Sequence, residues 1–455
     1  MDFSSKDIFK NPLLYLIVFT IGISMRLFNL TDSLWLDEIW SMLMSGQEHS
    51  VIDIINACKT DTHPPLFDIL LHYVLLIGDE DITGRIFALF IGLLGVLATY
   101  YYTLRISKSH LASFLSFSLI SFSYFHIYYS NEGRFYTFLY LLSLAVIAHL
   151  YFFLKEKSIR QLVLFVFFSI LLSYTHYYGV ILLFGLALVV LFLWIIKEIE
   201  NRTFIKFIIG GGLILLVYLP WLPYMFSGSG NESWMNQAGL GQFFEYLYNY
   251  SGKNPVEFLF VLTAVIISFK YWKSDRILYS LLYGSILLGF IVPLVISYLS
   301  IPMLHIRYTF IYFPSLILLV AVFWEKTQLL ESKKKNYLFI VVFLSILVNF
   351  FFINDITTKG IHKEPWREIA SDVAKFNYGI NDKVYSELDF YLNYYLIKND
   401  HKRAQTLSMH QDEDSFWLLR TPYDSQEQII ASHKLIRVID YGNEFVLEYY
   451  ELEIE

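Results

Sequence analysis

Apolar residues along this chain gather into long runs, and the short segments between them alternate between basic and acidic-aromatic. About 20 mostly apolar residues cross a bilayer as a helix, and Lys and Arg in short loops mark the cytoplasmic side. The pattern predicts spans over Leu13–Leu30, Arg85–Leu104, Leu111–Ile127, Phe135–Leu154, Gln161–Tyr174, Tyr178–Ile196, Phe204–Met225, Val256–Phe269, Ile277–Leu299, Tyr308–Trp324 and Tyr337–Ile353. Lys6 and Lys10 put the N-terminus inside. The basic loops around Arg105/Lys108, Lys155/Lys157/Arg160, Lys197/Arg202/Lys206, Lys270/Lys273/Arg276 and Lys326/Lys333/Lys334/Lys335 then all face the cytoplasm. The first run is read as an anchor: it is too long for the apolar core of a signal peptide and no small-x-small cleavage signal follows it.

Two stretches break the rhythm. Thr31–Ile82 is polar and aromatic, with apolar residues at helical spacing (Ile39, Met42, Leu43; Val51, Ile54, Ile55), which predicts short amphipathic helices at the membrane interface. Pro64-Pro65 opens a further helix, Leu66–Ile77, short for a span and carrying Asp68 and His72. As a span it would leave the acidic Gly78–Asp81 loop in the cytoplasm and put Arg105 and Lys108 outside, so it is read as interfacial. From Asn354 onward charged residues become frequent. Trp366–Phe376 reads as a helix, and Lys383–Ser386, Phe416–Leu419, Leu435–Asp440 and Phe445–Leu452 read as strands. The expected organisation is a membrane domain over 1–353, with 31–82 as its first outer loop, and a small α/β domain over 354–455 outside the membrane.

Composition narrows the class. The chain of 455 residues is 56% hydrophobic and 16% charged, against about 25% charged in ordinary globular domains. A net charge of -7 argues against a nucleic-acid partner. The single cysteine, Cys58, excludes an intrachain disulfide and any multi-cysteine metal site.

Topology sorts the ionisable residues. Asp37, Glu38, His63, Arg85, Glu132, Arg134, His176, His305 and Arg307 all fall at outer loops or outer span ends. Each has a plain structural alternative. The acid pair in Leu34-Trp35-Leu36-Asp37-Glu38 could cap an interfacial helix, Arg85 and Arg307 could snorkel, and Glu132 with Arg134 could form a local ion pair. Together they suit transfer from a lipid phosphate. A carboxylate accepts the proton of an attacking hydroxyl, and arginines stabilise the departing phosphate through fixed bidentate contacts. A divalent ion held by acids or His could supply the same charge, although no ligand spacing in the sequence supports a metal site. A transporter or lipid flippase using the outer charges for substrate binding is the alternative. It would need polar residues at mid-membrane and repeat symmetry.

Arg26-Leu27, Ser33-Leu34-Trp35-Leu36-Asp37-Glu38, His63-Pro64-Pro65-Leu66, Gly84-Arg85-Ile86 and Glu132-Gly133-Arg134-Phe135-Tyr136, with the later Arg307-Tyr308 and Pro365-Trp366-Arg367, resemble the GT-C glycosyltransferases. The resemblance is to the family 39-like enzymes, related to protein O-mannosyltransferases and the lipid A aminoarabinose transferase. It implies a mainly α-helical polytopic fold of about 11–13 transmembrane helices, embedded in the cell membrane. It implies a polyprenyl-phosphate-linked sugar donor and a hydroxyl acceptor on a lipid, glycan or protein, with inverting transfer on the outer face. Asp37 then corresponds to the acidic residue of the first loop and serves as the general base, with Glu38 and Glu132 assisting or positioning. Arg134, Arg307, Arg85 and Arg26 are the candidate phosphate-binding cations. Trp35, His63, Tyr136 and His176 are the candidate substrate-binding side chains, the two histidines also being the candidates for a metal. Gly84-Arg85-Ile86-Phe87-Ala88 departs from the family in lacking the Leu-Pro-Ser that often follows this arginine.

Overall fold

A computed structural model describes residues 8–28, 30–227, 238–300, 302–327, 344–345, 363–376, 382–400, 402–405, 414–424 and 433–452. The chain divides into two compact units, Met1–Leu30 with Gln47–Asn354, and Thr31–Gly46 with Asp355–Glu455.

The first unit is helical. Among the described residues seven helices are long and apolar enough to cross a membrane: Glu80–Ser107, Tyr136–Glu156, Tyr177–Ile195, Asn201–Tyr218, Pro255–Ser274, Arg276–Leu299 and Tyr308–Lys326. His110–Phe122 and Tyr124–Ser130, bent by 56° at their junction, make a further apolar pair, either one broken span or a re-entrant segment. Pro12–Arg26 and Ile159–Ser173, both expected as spans, are shorter apolar helices. Of the predicted span Tyr337–Ile353, only 344–345 are among the described residues. The protein is a multi-pass membrane protein.

Local chemistry sets the helix ends. Asp79, Ser109, Asn254 and Asp275 cap the helices that follow them by accepting backbone N–H groups. Lys108 and Lys157 close Glu80–Ser107 and Tyr136–Glu156 in the left-handed conformation, at φ 55° each. Glycine is usual there, but a lysine adds a cation at the negative end of the helix dipole. These closures lie on the basic-loop side, so the charge pattern that marks the cytoplasm also terminates helices.

Leu66–Leu75 has 10 residues and so is about 15 Å long, half a bilayer core. Leu66 N–H donates to the Tyr174 carbonyl at 3.0 Å, which anchors its start at the end of Ile159–Ser173 away from the basic loops. The next long helix starts at Glu80, and its Ala88 carbonyl accepts from Thr137 in the first turn of Tyr136–Glu156. Both ends of the short helix therefore lie at the same end of the bundle, and it does not cross.

The second unit is α/β. Strands β1 (Lys383–Ser386), β2 (Ser415–Arg420), β3 (His433–Asp440) and β4 (Val446–Leu452) form a sheet of order β1-β2-β4-β3, with β1 parallel to β2 and the other pairs antiparallel. Tyr385, Phe416, Leu418 and Tyr450 make a buried cluster on it. Helices Trp366–Phe376 and Asp389–Lys398 pack beside each other, and Trp366 is fully buried against Phe445 and Tyr391. The helix Leu36–Met44 belongs to this unit too, with Trp40 against Phe390.

Candidate active site

In the first unit the site is built from loops at the end of the bundle opposite the basic segments. Pro64-Pro65 forces a sharp entry into Leu66–Leu75, and the Leu66 to Tyr174 hydrogen bond ties that turn to the loop bearing His176. His63 and His176 consequently meet, with ring centroids 4.9 Å apart, and both lie against Phe135, at 4.6 and 4.9 Å. Tyr308 closes the group 5.0 Å from His176. Phe135 and Tyr308 also carry the arginines that adjoin them: Arg134 lies 4.9 Å over Phe135, and Arg307 5.4 Å over Tyr308. Aromatic packing thus brings together His63, Arg134, His176 and Arg307, four residues from four segments.

The electrostatics follow from burial. His176 caps Tyr177–Ile195, its Nδ1 accepting the Tyr178 N–H at 3.0 Å. The ring proton therefore resides on Nε2, which is buried and has no hydrogen-bond partner among the described residues. Burial, then the nearby charges of His63, Arg134 and Arg307, hold His176 well below the usual histidine range, so it is a neutral N–H donor. Burial tends to raise Asp61, but the hydrogen bond and charge of His63, with Arg134 beyond, outweigh it and keep Asp61 well below the carboxylate range. Its Oδ1 lies 3.7 Å from His63 Nδ1, which also meets Thr62 Oγ1 at 2.9 Å. Asp68 behaves oppositely. Burial dominates over Arg134 and pushes it up to about 7, with the Cys58 thiol donating to its Oδ2 at 3.8 Å. The Cys58 thiol is itself pushed up by burial and by Asp68, and so is no nucleophile.

The other first-unit candidates divide. Glu132 is buried, offers its carbonyl to Arg134 N–H at 2.7 Å, and lies within electrostatic reach of Tyr129, as does Arg307. The Tyr136 ring lies tilted against Tyr129 at 4.5 Å and against Phe135 at 4.7 Å, so both belong to the same aromatic cluster. Arg85 is buried, with Nη1 donating to the Leu30 carbonyl at 3.3 Å. Arg26 stands apart. Its five donors go to Gly22 O, Ser121 O, Ile120 O, His126 Nδ1 and Ser130 Oγ, at 2.8–3.3 Å. A guanidinium has no further N–H, so Arg26 holds the break between His110–Phe122 and Tyr124–Ser130 and has none left for a phosphate.

In the second unit Trp35 is the residue before Leu36–Met44, and Asp37 and Glu38 occupy the first turn of that helix. Glu38 is sealed: its Oε2 accepts from Lys363 Nζ at 3.1 Å and from the Trp35 N–H at 3.4 Å, with both charged side chains buried. Glu364 accepts from the Leu36 N–H at 2.8 Å, the Trp366 indole at 2.7 Å and the Tyr423 hydroxyl at 2.7 Å. Burial raises Glu364 above the usual carboxylate range despite these donors, and the charge of Asp37 adds to the effect. Arg367 donates to the Thr31 carbonyl at 2.7 Å, and its backbone N–H to Ser33 Oγ at 3.1 Å. Lys363-Glu364-Pro365-Trp366-Arg367 therefore clamps the segment bearing the acid pair and leaves Asp37 as its half-buried member.

Sequence reasoning passed over Asp61, Asp68, Lys363 and Glu364. Asp61 sits two residues before His63 and Lys363-Glu364 immediately before Pro365-Trp366-Arg367, so adjacency to a motif was the available signal. Among the described residues no group of three or more His, Cys, Asp or Glu is arranged to hold a metal ion. His176 does not fit one as it stands, because its Nδ1 accepts the Tyr178 N–H and its Nε2 carries the ring proton.

No family model matches the chain, and no curated protein matches it significantly. Solved structures do. ArnT from Cupriavidus metallidurans, bound to undecaprenyl phosphate, matches with a TM-score of 0.56 and 12% identity, over 96% of this chain and 97% of that one. The archaeal oligosaccharyltransferase AglB from Archaeoglobus fulgidus, in complex with an inhibitory peptide and a dolichol-phosphate, matches with a TM-score of 0.50 and 11% identity, over 87% of this chain and 61% of that one. Its complex with Zn and sulfate gives 0.53 and 13%, over 87% and 59%. The chain has the GT-C fold.

Proposed function

We propose that this protein is a membrane glycosyltransferase moving a sugar from a polyprenyl-phosphate-linked donor to a hydroxyl acceptor. The observation that carries the reading is the aromatic cluster in which His63, Arg134, His176 and Arg307 converge, within the fold of proteins that bind undecaprenyl phosphate and dolichol-phosphate. Arg134 and Arg307 bind the donor phosphate, and neutral His176 donates its Nε2–H to a phosphate or sugar oxygen. Asp37 is the general base. The acceptor oxygen attacks the anomeric carbon and its proton passes to the Asp37 carboxylate. The bond from that carbon to the phosphate oxygen breaks, and the lipid phosphate leaves with the electron pair, its charge balanced by the arginines. Glu38, held by Lys363, positions the helix that carries Asp37. Glu132 orients the loop of Arg134. Arg85 and Arg26 serve the scaffold. The donor tail stays in the bilayer, which accounts for placing this chemistry on a membrane protein.

The test is mass spectrometry of the lipids that co-purify, together with binding of undecaprenyl phosphate to the purified protein. A glycosylated polyprenyl phosphate and saturable binding that Arg134→Gln weakens at least about tenfold are expected. Absence of both, or binding indifferent to Arg134, rules the reading out.

A further inference from the structure

A cavity lies along the bundle away from this site. Helices Tyr177–Ile195 and Arg276–Leu299 approach closely where Gly284 faces Val189, since a Cβ on Gly284 would stand 2.1 Å from the Val189 methyl. Beyond that contact they part, and the turn Phe269–Ser274 lies beside the opening. A groove of about 420 Å³ results, walled by Leu188, Phe192, Phe269, Trp272, Tyr283 and Leu288. That volume falls in the range of small-molecule sites. Most of its polar atoms are spent within the protein: the Trp272 indole donates to Ser280 Oγ at 2.9 Å, and the Tyr283 hydroxyl donates to the Val265 carbonyl at 2.6 Å, whereas the buried Tyr279 hydroxyl has no partner among the described residues. Apart from that hydroxyl the walls offer carbon, and Phe192 and Phe269 open the groove toward the surface that faces lipid.

Charge marks one end. The turn Phe269–Ser274 carries Lys270, over the Tyr271 ring, and Lys273, both exposed. Arg276, stacked over Trp272, is paired with Glu198, and Lys155 with Asp275. Among the described residues Lys270 and Lys273 meet no carboxylate. An apolar groove open to the bilayer with two uncompensated cations at its mouth matches an amphiphile with a negative head. We propose that it holds an acyl chain of an anionic glycerophospholipid from the surrounding membrane, with its phosphate between Lys270 and Lys273. The site lies at the basic-loop end of the helices, so it is distinct from the candidate donor-phosphate site.

The full-length protein in nanodiscs of equal phosphatidylglycerol and phosphatidylcholine supplies the test. Each lipid is added in turn as an analogue with a photoactivatable acyl chain, and the labelled peptides are mapped. Phosphatidylglycerol should label the segments around 188–192 and 269–288 about 30-fold more than phosphatidylcholine, as two surface cations imply. Lys270→Gln with Lys273→Gln should bring it to the phosphatidylcholine level, and Leu188→Trp should block labelling by filling the groove. The lysines are exposed, so their replacement reads binding rather than folding. Equal labelling by the two lipids, or labelling that survives the double lysine substitution, overturns the proposal and leaves ordinary contact with bulk lipid.

Discussion

His176 does two jobs with one ring, and they can be separated. Nδ1 caps a helix, and Nε2–H is buried with no partner among the described residues. Asparagine is a good N-cap, so His176→Asn keeps the cap and loses the distal donor, whereas His176→Phe keeps the packing on Phe135 and Tyr308 and loses both. Undecaprenyl phosphate binding should fall about tenfold in each variant, while only His176→Phe should lose the cap contribution, about 1 kcal/mol. Titration calorimetry beside thermal unfolding in detergent distinguishes the two effects, and full binding by His176→Asn would show that the ring is structural only. Asp68 gives the opposite test, of pH. Its pKa, raised by burial to about 7, exceeds that of an unfolded carboxylate. The folded state is therefore favoured when Asp68 is protonated, fully so below the unfolded value, and the advantage is lost as pH rises through about 7. Asp68→Asn should match the wild type below about pH 4 and be the more stable of the two at pH 8, by at most about 4 kcal/mol, which thermal melts at the two pH values read. Parallel melting curves across that interval would show that Asp68 is charged throughout.

Arg26 shows how an element depends on a distant residue. Ser123 ends one helix and caps the next, and its extended ψ of 116° breaks the ladder of backbone hydrogen bonds. The Ile120 and Ser121 carbonyls at the break receive Arg26 N–H groups instead. Lysine has three donors without the planar fork, so Arg26→Lys should leave buried acceptors unmet at about 1–3 kcal/mol each. Arg26→Met should be worse, and both should lower the melting temperature and the yield of folded protein. A wild-type melting curve for Arg26→Met would show that the break needs no fastener. The sequence placed Arg26 near the outer end of the first run and left its role among four arginines, because five partners drawn from three helices leave no local trace. Where local rules suffice, the reading went further: helix Trp366–Phe376 and strand Lys383–Ser386 stand where alternation and capping put them, and the other three strands shift by one or two residues. The convergence of His63, Arg134 and His176 on one end of the bundle followed from counting basic loops, since that pattern fixes helix direction. Nothing local predicted that Thr31–Gly46 would pack with residues more than 300 positions later, since that depends on Lys363 and Glu364 finding its backbone and Glu38.

Over the whole molecule, contacts of such separation decide what the acid pair can do. Lys363 and Glu38 are 325 positions apart in sequence and both buried. Removing one partner strands a charge away from water, so Lys363→Met should destabilise by about 3–5 kcal/mol. Replacing Glu38 by Leu in the same chain should recover most of that loss, because a buried ion pair exchanged for apolar side chains is near neutral. Asp37, by contrast, is only half buried, and Asp37→Asn changes neither shape nor packing. If Asp37 is the base, the variant should fold as the wild type does, bind undecaprenyl phosphate with unchanged affinity and lose turnover by at least about a hundredfold. Arg134→Gln should show the complementary pattern, with weakened lipid-phosphate binding appearing in both KM and turnover. The two variants separate transfer from transport, since a flippase has no proton to remove from an acceptor and would keep moving lipid with asparagine at position 37. Measuring sugar transfer and lipid translocation on the same reconstituted Asp37→Asn protein therefore decides between them: transfer lost with binding kept assigns the base, and transfer retained at near wild-type rate moves that role to another carboxylate.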